Sequence, residues 1–173
     1  EYGDLNDIKI ENMKAQSQRF GVADAEVGGS TEHKQMAVIA VSAGEGLNEI
    51  FDSLGVDYVI TGGQTMNPST EDFMKAIERV NADAAILLPN NKNIIMAAEQ
   101  AAKLSEPTQV EVVASRTIPQ GIAALMAYNS EGTLEENAES MRSSMAYVRS
   151  AEVTYAVRDT SIDEFSIKEG QLL

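Results

Sequence analysis

The sequence predicts an α/β domain, a parallel sheet with helices on both faces that ends in a β-hairpin-like segment. Three observations predict it. Continuous apolar runs of buried-strand type, such as Met36–Val41 and Ala84–Leu88, alternate with segments whose apolar residues recur at helical spacing. Four such β-α repeats follow one another, and right-handed crossovers return each strand in the same direction. With 173 residues, 43% of them hydrophobic, the chain can build one sizeable core.

In chain order, residues 1–20 look partly structured, with Ile8, Ile10 and Met13 as apolar positions, and read as the tail of a preceding domain. Residues 21–34 include Gly28-Gly29-Ser30 and read as a flexible linker. The α/β domain is expected over 35–160. Its first strand, Met36–Val41, is followed by a helix on Leu47, Ile50, Phe51 and Leu54. The second strand, Val56–Ile60, precedes a helix over Glu71–Val80, where Phe73, Ala76, Ile77 and Val80 make one apolar face. Ser69 is placed to cap that helix, with Asp72 at the third helical position. Ala84–Leu88 makes the third strand, with a helical face of Ile94, Ala97, Ala98, Ala101 and Leu104 after it. Val110–Ala114 makes the fourth, followed by a short helix over Gly121–Tyr128. A last helix is expected over Leu134–Val148, with Leu134, Ala138, Met141, Met145 and Val148 on one side. Residues 161–173 read as a polar, hairpin-like end.

Composition removes several function classes. The formal charge of −14 repels nucleic acid backbones and anionic membranes, while a basic partner is accommodated. No cysteine is present, so disulfides, thiolate zinc sites and a cysteine nucleophile are excluded. No apolar stretch approaches the roughly 20 residues of a membrane helix, and no direct membrane insertion is expected. A cytoplasmic location is the simple reading. The sole histidine, His33, lies beside the linker and reads as a surface residue. No catalytic residue and no metal ligand is assigned.

In a parallel sheet every strand-to-helix loop emerges at the carboxyl edge, the usual ligand side of such folds. Gly62, Gly63, Gln64, Thr65, Asn67 and Ser69 set flexible glycines, hydroxyls and amides just before a helix start, a pattern suited to a carboxylate or phosphate. Asn90, Asn91 and Asn93 surround Lys92 in the third loop, and Gln120 follows Arg116 in the fourth. Capping and turn formation account for the same residues, and the sequence leaves both readings open. The first loop, Ala43-Gly-Glu-Gly46, lacks the phosphate-loop and complete dinucleotide patterns. Elsewhere Glu131, Glu135, Glu136 and Glu139 cluster with no basic residue among them. They make either a solvated helix face or an acidic surface that steers a basic partner.

Five segments, Gly3–Met13, Gly62–Thr70, Leu88–Ala98, Ile118–Gly121 and Thr154–Thr160, resemble the carboxyl-terminal region of the bacterial fatty acid kinase A subunit, a dihydroxyacetone-kinase-like protein. That region has a second subdomain, and the resemblance implies that residues 161–173 are the start of a truncated one. The resemblance implies a kinase domain upstream that binds ATP and Mg, then a linker domain that carries catalytic groups and the dimer contacts. It implies no cofactor in the present domain. It further implies a fold similar to DegV-type fatty-acid-binding proteins, and docking of a basic surface of such a protein on an acidic groove. Thr65-Met-Asn-Pro-Ser69 is similar to the carboxylate-side loop of those proteins, departing at its second and third positions.

Three functions are therefore expected in order. The first is a docking domain that holds the fatty-acid-loaded partner, so that the full kinase makes acyl phosphate for phospholipid synthesis. The second is a domain that itself holds a small anion or fatty acid through the Thr65–Ser69 loop and Asn91. The third is a dihydroxyacetone-kinase-like phosphotransferase or phosphatase domain.

Overall fold

A computed structural model describes residues 33–62, 67–151, 153, 155–156, 158–162 and 165–172. The expected tail at 1–20 and nearly all of the linker at 21–34 lie outside the described residues. Strands β1 (Lys34–Ser42), β2 (Tyr58–Thr61), β3 (Ala82–Leu88) and β4 (Gln109–Val112) form one sheet in the order β2-β1-β3-β4. Every pairing in it is parallel. Helices α1 (Glu45–Ser53), α2 (Thr70–Val80), α3 (Ile95–Leu104), α4 (Ile118–Met126) and α5 (Leu134–Met145) cover it, and a one-turn 3-10 segment, Lys92–Ile94, leads into α3.

Strand alternation divides β1 between two cores. Ala37, Ile39 and Val41 pack with Phe73, Ala76 and Ile77 of α2 and with Ala98 and Ala101 of α3. Val38 and Ala40 pack on the other face with Phe51 of α1, Ala124 and Leu125 of α4, and Ala138 and Met141 of α5. Burial on both faces explains why β1 and β3 read as unbroken apolar runs. The loops after β1 and β3 leave toward opposite faces, so the sheet has a topological switch point between these two strands.

The expected fold class is present, with shifts at the elements where local capping outweighs apolar spacing. The fourth helix starts at Ile118 because Thr117 accepts a hydrogen bond from the Gln120 N–H and Pro119 has no N–H to satisfy. The last helix ends at Met145, short of Val148. In α1 only Phe51 is buried, whereas Ile50 and Leu54 remain about two-fifths exposed. Near the end, β5 (Thr160–Ile162) and β6 (Phe165–Ile167) make the antiparallel hairpin, and Tyr155 forms an isolated bridge with Leu172.

Truncating Phe73, fully buried between α2 and the sheet, removes a whole aromatic side chain from this core. Phe73→Ala is expected to lower the unfolding free energy by about 3–5 kcal/mol in a denaturant titration.

Candidate functional site

The carboxyl edge is organised around Asn90, which follows β3 with φ 57, in the left-handed region that asparagine tolerates better than most residues. Its N–H donates to Ser115 Oγ at 2.9 Å, and its Nδ2 donates to the Val41 carbonyl at 2.9 Å. Ser115 Oγ in turn donates to Asn90 Oδ1 at 2.7 Å. Both residues are buried, and these bonds join the ends of β1 and β3 to the segment after β4. Helix α4 closes over the knot at Gly121, where an added Cβ would stand 2.6 Å from Asn90 Cγ and 2.8 Å from Nδ2. Glycine is needed there for close approach.

The remaining polar residues of the edge are engaged in similar local work. The buried Gly62 donates its N–H to the Ser42 carbonyl at 2.8 Å, extending the β1–β2 pairing. Ser69 and Asp72 form the capping box foreseen in the sequence: Asp72 N–H donates to Ser69 Oγ at 3.3 Å, while Ser69 N–H and Oγ each donate to Asp72 Oδ2 at 2.8 Å. Asn91 Oδ1 accepts from the Asn93 N–H at 2.9 Å, and Asn91 Nδ2 reaches Asn67 Oδ1 at 3.4 Å. Gln120 Oε1 accepts from the Arg116 N–H at 2.8 Å. Gly63, Gln64 and Thr65 lie outside the described residues.

This arrangement bears on anion binding at α2. Hydrogen bonds from the Ser69 backbone and then the Ser69 side chain hold the Asp72 carboxyl below its usual range, so a negative charge already occupies that helix N-terminus. An incoming carboxylate would have to displace it or share the site with it. In the other two loops Asn91 Oδ1 and Gln120 Oε1 likewise accept from backbone N–H groups of their own loops.

The acidic residues lie away from this edge. Glu135 and Glu136 are in the first turn of α5, where the helix dipole favours negative charge. Glu136 is held in place: its Oε2 accepts from Thr133 N–H at 2.9 Å and Thr133 Oγ1 at 3.0 Å, and these two bonds, backbone first, lower its pKa. Glu131, Glu135 and Glu139 are exposed, and among the described residues none has a cation within 4 Å.

The loop that carries Glu131 is pinned by Asn137, a buried residue that the sequence reading does not single out. Its Oδ1 accepts from Asn129 N–H at 2.7 Å, and its Nδ2 donates to the carbonyls of Asn129 at 2.8 Å and Thr133 at 3.0 Å. A signal exists in the sequence, since Asn137 is a polar residue between Leu134 and Met141 on the apolar stripe of α5. Beside this loop a groove of about 590 Å³ opens at the amino edge of the sheet, with Asp83 and Glu131 in its lining and Met36, Pro107 and Leu134 among its apolar walls. His33 lies at the same edge, exposed, with Nε2 3.1 Å from Asp83 Oδ1.

Among the described residues no group of three or more His, Asp or Glu could hold a metal ion, and no helix is long and apolar enough to cross a membrane. Fold and surface define the class, a doubly wound α/β domain with a polar carboxyl edge and exposed glutamates away from it. The chain belongs to the FakA-like C-terminal family, the carboxyl-terminal domain of fatty acid kinase A-like proteins, whose model matches residues 37–173. It is 50% identical over 174 residues to an uncharacterized protein of Staphylococcus saprophyticus, covering 98% of this chain and 31% of that protein. It is also 47% identical over 170 residues to an uncharacterized protein of Staphylococcus aureus strain USA300, with the same 98% and 31% coverage. The chain thus spans about a third of the length of these relatives.

Two outcomes are expected from these contacts. Gly121→Ala should lower stability by roughly 1–3 kcal/mol through overpacking against Asn90, and chemical denaturation measures it. The capping carboxylates Asp72 and Glu136 have depressed folded pKa values, so their contribution is present above the unfolded values and lost as pH falls through the folded ones. The thermal midpoint should therefore fall on acidification below their ordinary values of 3.8 and 4.5. The Asp72→Asn/Glu136→Gln double variant should flatten that part of the pH profile.

Proposed function

We propose that this chain is a docking domain of a fatty acid kinase, which holds a fatty-acid-binding partner of DegV type by its basic surface. Phosphate transfer to the fatty acid, giving acyl phosphate, is then the work of groups elsewhere in the longer cytoplasmic protein, where ATP and Mg bind and where dimer contacts are made. Family membership supports the kinase context. The observation that carries the docking reading is the set Glu131, Glu135 and Glu139, exposed and without a cation within 4 Å among the described residues. Their backbones sit on a rigid support, the Asn137-pinned loop and the capped start of α5. Carboxylates presented this way have little entropy to lose when a cationic surface meets them. In a chain of net charge −14 they also add to a long-range field that speeds encounter with a basic protein.

The test is a calorimetric titration of the partner into this chain at low and at high salt. The triple variant Glu131→Lys, Glu135→Lys, Glu139→Lys should weaken binding by about tenfold or more and remove most of its salt dependence. Glu136 is left intact in it because reversing that charge would break the helix cap. Partner affinity unchanged in the triple variant would remove the cluster from the reading. Native mass spectrometry of the purified chain adds a second check, since docking alone predicts no bound acyl chain.

A further inference from the structure

The Asn137 side chain is surrounded by more acceptors than it has hydrogens to give. Its Nδ2 stands 2.8 Å from the Asn129 carbonyl, 3.0 Å from the Thr133 carbonyl and 3.8 Å from Met36 Sδ. A side-chain amide nitrogen carries two N–H groups, and a thioether sulfur accepts weakly, so the two carbonyls hold both hydrogens. That division lasts only while the sulfur remains a thioether.

A second, independent observation concerns access. Met36 lies on β1, on the face of Val38 and Ala40, and packs at the margin of their core. It is half-buried, and its side forms part of the wall of the groove of about 590 Å³ at the amino edge. Glu131, Gly132 and Thr133, from the loop that Asn137 holds, line the same groove. A small polar oxidant entering the groove therefore meets Met36 beside that loop. Other methionines lack this combination. Met141 is 0% exposed inside the core, whereas Met96 and Met126 are 81% and 76% exposed, where water can hydrate a sulfoxide.

We propose that Met36 is an oxidation site whose sulfoxide loosens the loop from Asn129 to Thr133. A hydroperoxide supplies the oxygen: a sulfur lone pair attacks the peroxide, the O–O bond breaks as the S–O bond forms, and the peroxide leaves as water or an alcohol. Sulfur is oxidised by two electrons and the peroxide is reduced by two. The sulfoxide oxygen is a far stronger acceptor than the thioether and competes for an Nδ2 hydrogen of Asn137. The loop then loses one of the three bonds that tie it to this side chain, those of Asn129 N–H, Asn129 O and Thr133 O. The modification stands whether or not the docking reading does, because neither the oxidation nor the loosening involves a partner.

The experiment treats this chain with dilute hydrogen peroxide and follows each methionine by peptide mass mapping, with amide-resolved NMR spectra of the same samples. Met96 and Met126 should oxidise first, and Met36 next, about tenfold or more ahead of Met141. Formation of the Met36 sulfoxide should move the Asn129, Glu131 and Thr133 amide resonances. Met36→Leu conserves side-chain volume and removes the sulfur, so under the same peroxide it should hold those resonances still while Met96 and Met126 oxidise as before. Met36 oxidising no faster than Met141, its sulfoxide leaving the loop amides in place, or Met36→Leu showing the parent's loop shifts under peroxide would each overturn the proposal.

Discussion

Asn90 stands where three constraints meet. It is the residue at which the chain leaves β3 and turns away from the sheet, its φ is positive, and its side chain is buried between strand ends that would otherwise present unpaired backbone groups. A buried amide left without partners costs about 1–3 kcal/mol, so the side chain stabilises the fold only because Val41 and Ser115 complete its bonds. That requirement fixes the spacing of β1, β3 and the chain after β4, and it leaves space for only a glycine where α4 crosses. Position then passes outward. Ser144 and Ser140 of α5 donate to the carbonyls of Ala123 and Ala127 along α4, and Asn137 of α5 holds the loop that carries Glu131. The orientation of the acidic surface is therefore tied through two helices to the switch point at the opposite edge of the sheet.

The same constraint changes the meaning of the polar loops. A doubly wound sheet offers its carboxyl edge to ligands because the strand ends and helix starts there leave donors unpaired. Here most of those donors are consumed by side chains of the edge itself. Ser69 both donates to and accepts from Asp72, and Ser115 both donates to and accepts from Asn90. Each net bond stabilises the fold by roughly 1 kcal/mol, and a ligand that used the same atoms would have to offset that loss before gaining affinity. Polar composition marks this edge, but among the described residues α1 starts with glycine in place of a capping side chain.

Much of the fold is legible in the sequence because its signals are local or periodic. The β1 and β3 runs are of the buried-strand type, and the Ser69–Asp72 spacing announces its own capping box. The fourth helix starts three residues earlier than its apolar spacing suggests, because the Thr117 cap and Pro119 outweigh that spacing. The exposure of Ile50 and Leu54 cannot be read from α1 alone, since it depends on α1 lying beside β2 at the sheet's rim. Site residues are harder for a physical reason. Asn90 has the composition of a binding-loop residue, and whether its amide faces a ligand or the fold depends on contacts across 25 and 49 residues, with Ser115 and Val41. Asn137 is the reverse case: its position on an apolar stripe is visible, while the loop it pins is not.

The charge distribution follows from how acidic side chains are distributed among these supports. Some of the carboxylates are absorbed by the fold: Asp57 accepts from the Val38 N–H and pairs with Lys34, Glu111 pairs with Arg142 between β4 and α5, and Asp72 and Glu136 cap helices. Those charges have local partners, which shorten the reach of their fields. Glu131, Glu135 and Glu139 have none among the described residues, so their field extends to about a Debye length, roughly 8 Å at physiological salt. Side chains built into caps and pairs cannot be recruited by a partner without loosening the fold, whereas those three can be neutralised by a cation at no structural cost. Among the described residues, this acidic surface is therefore one where association with a basic protein would leave the caps and ion pairs of the fold intact.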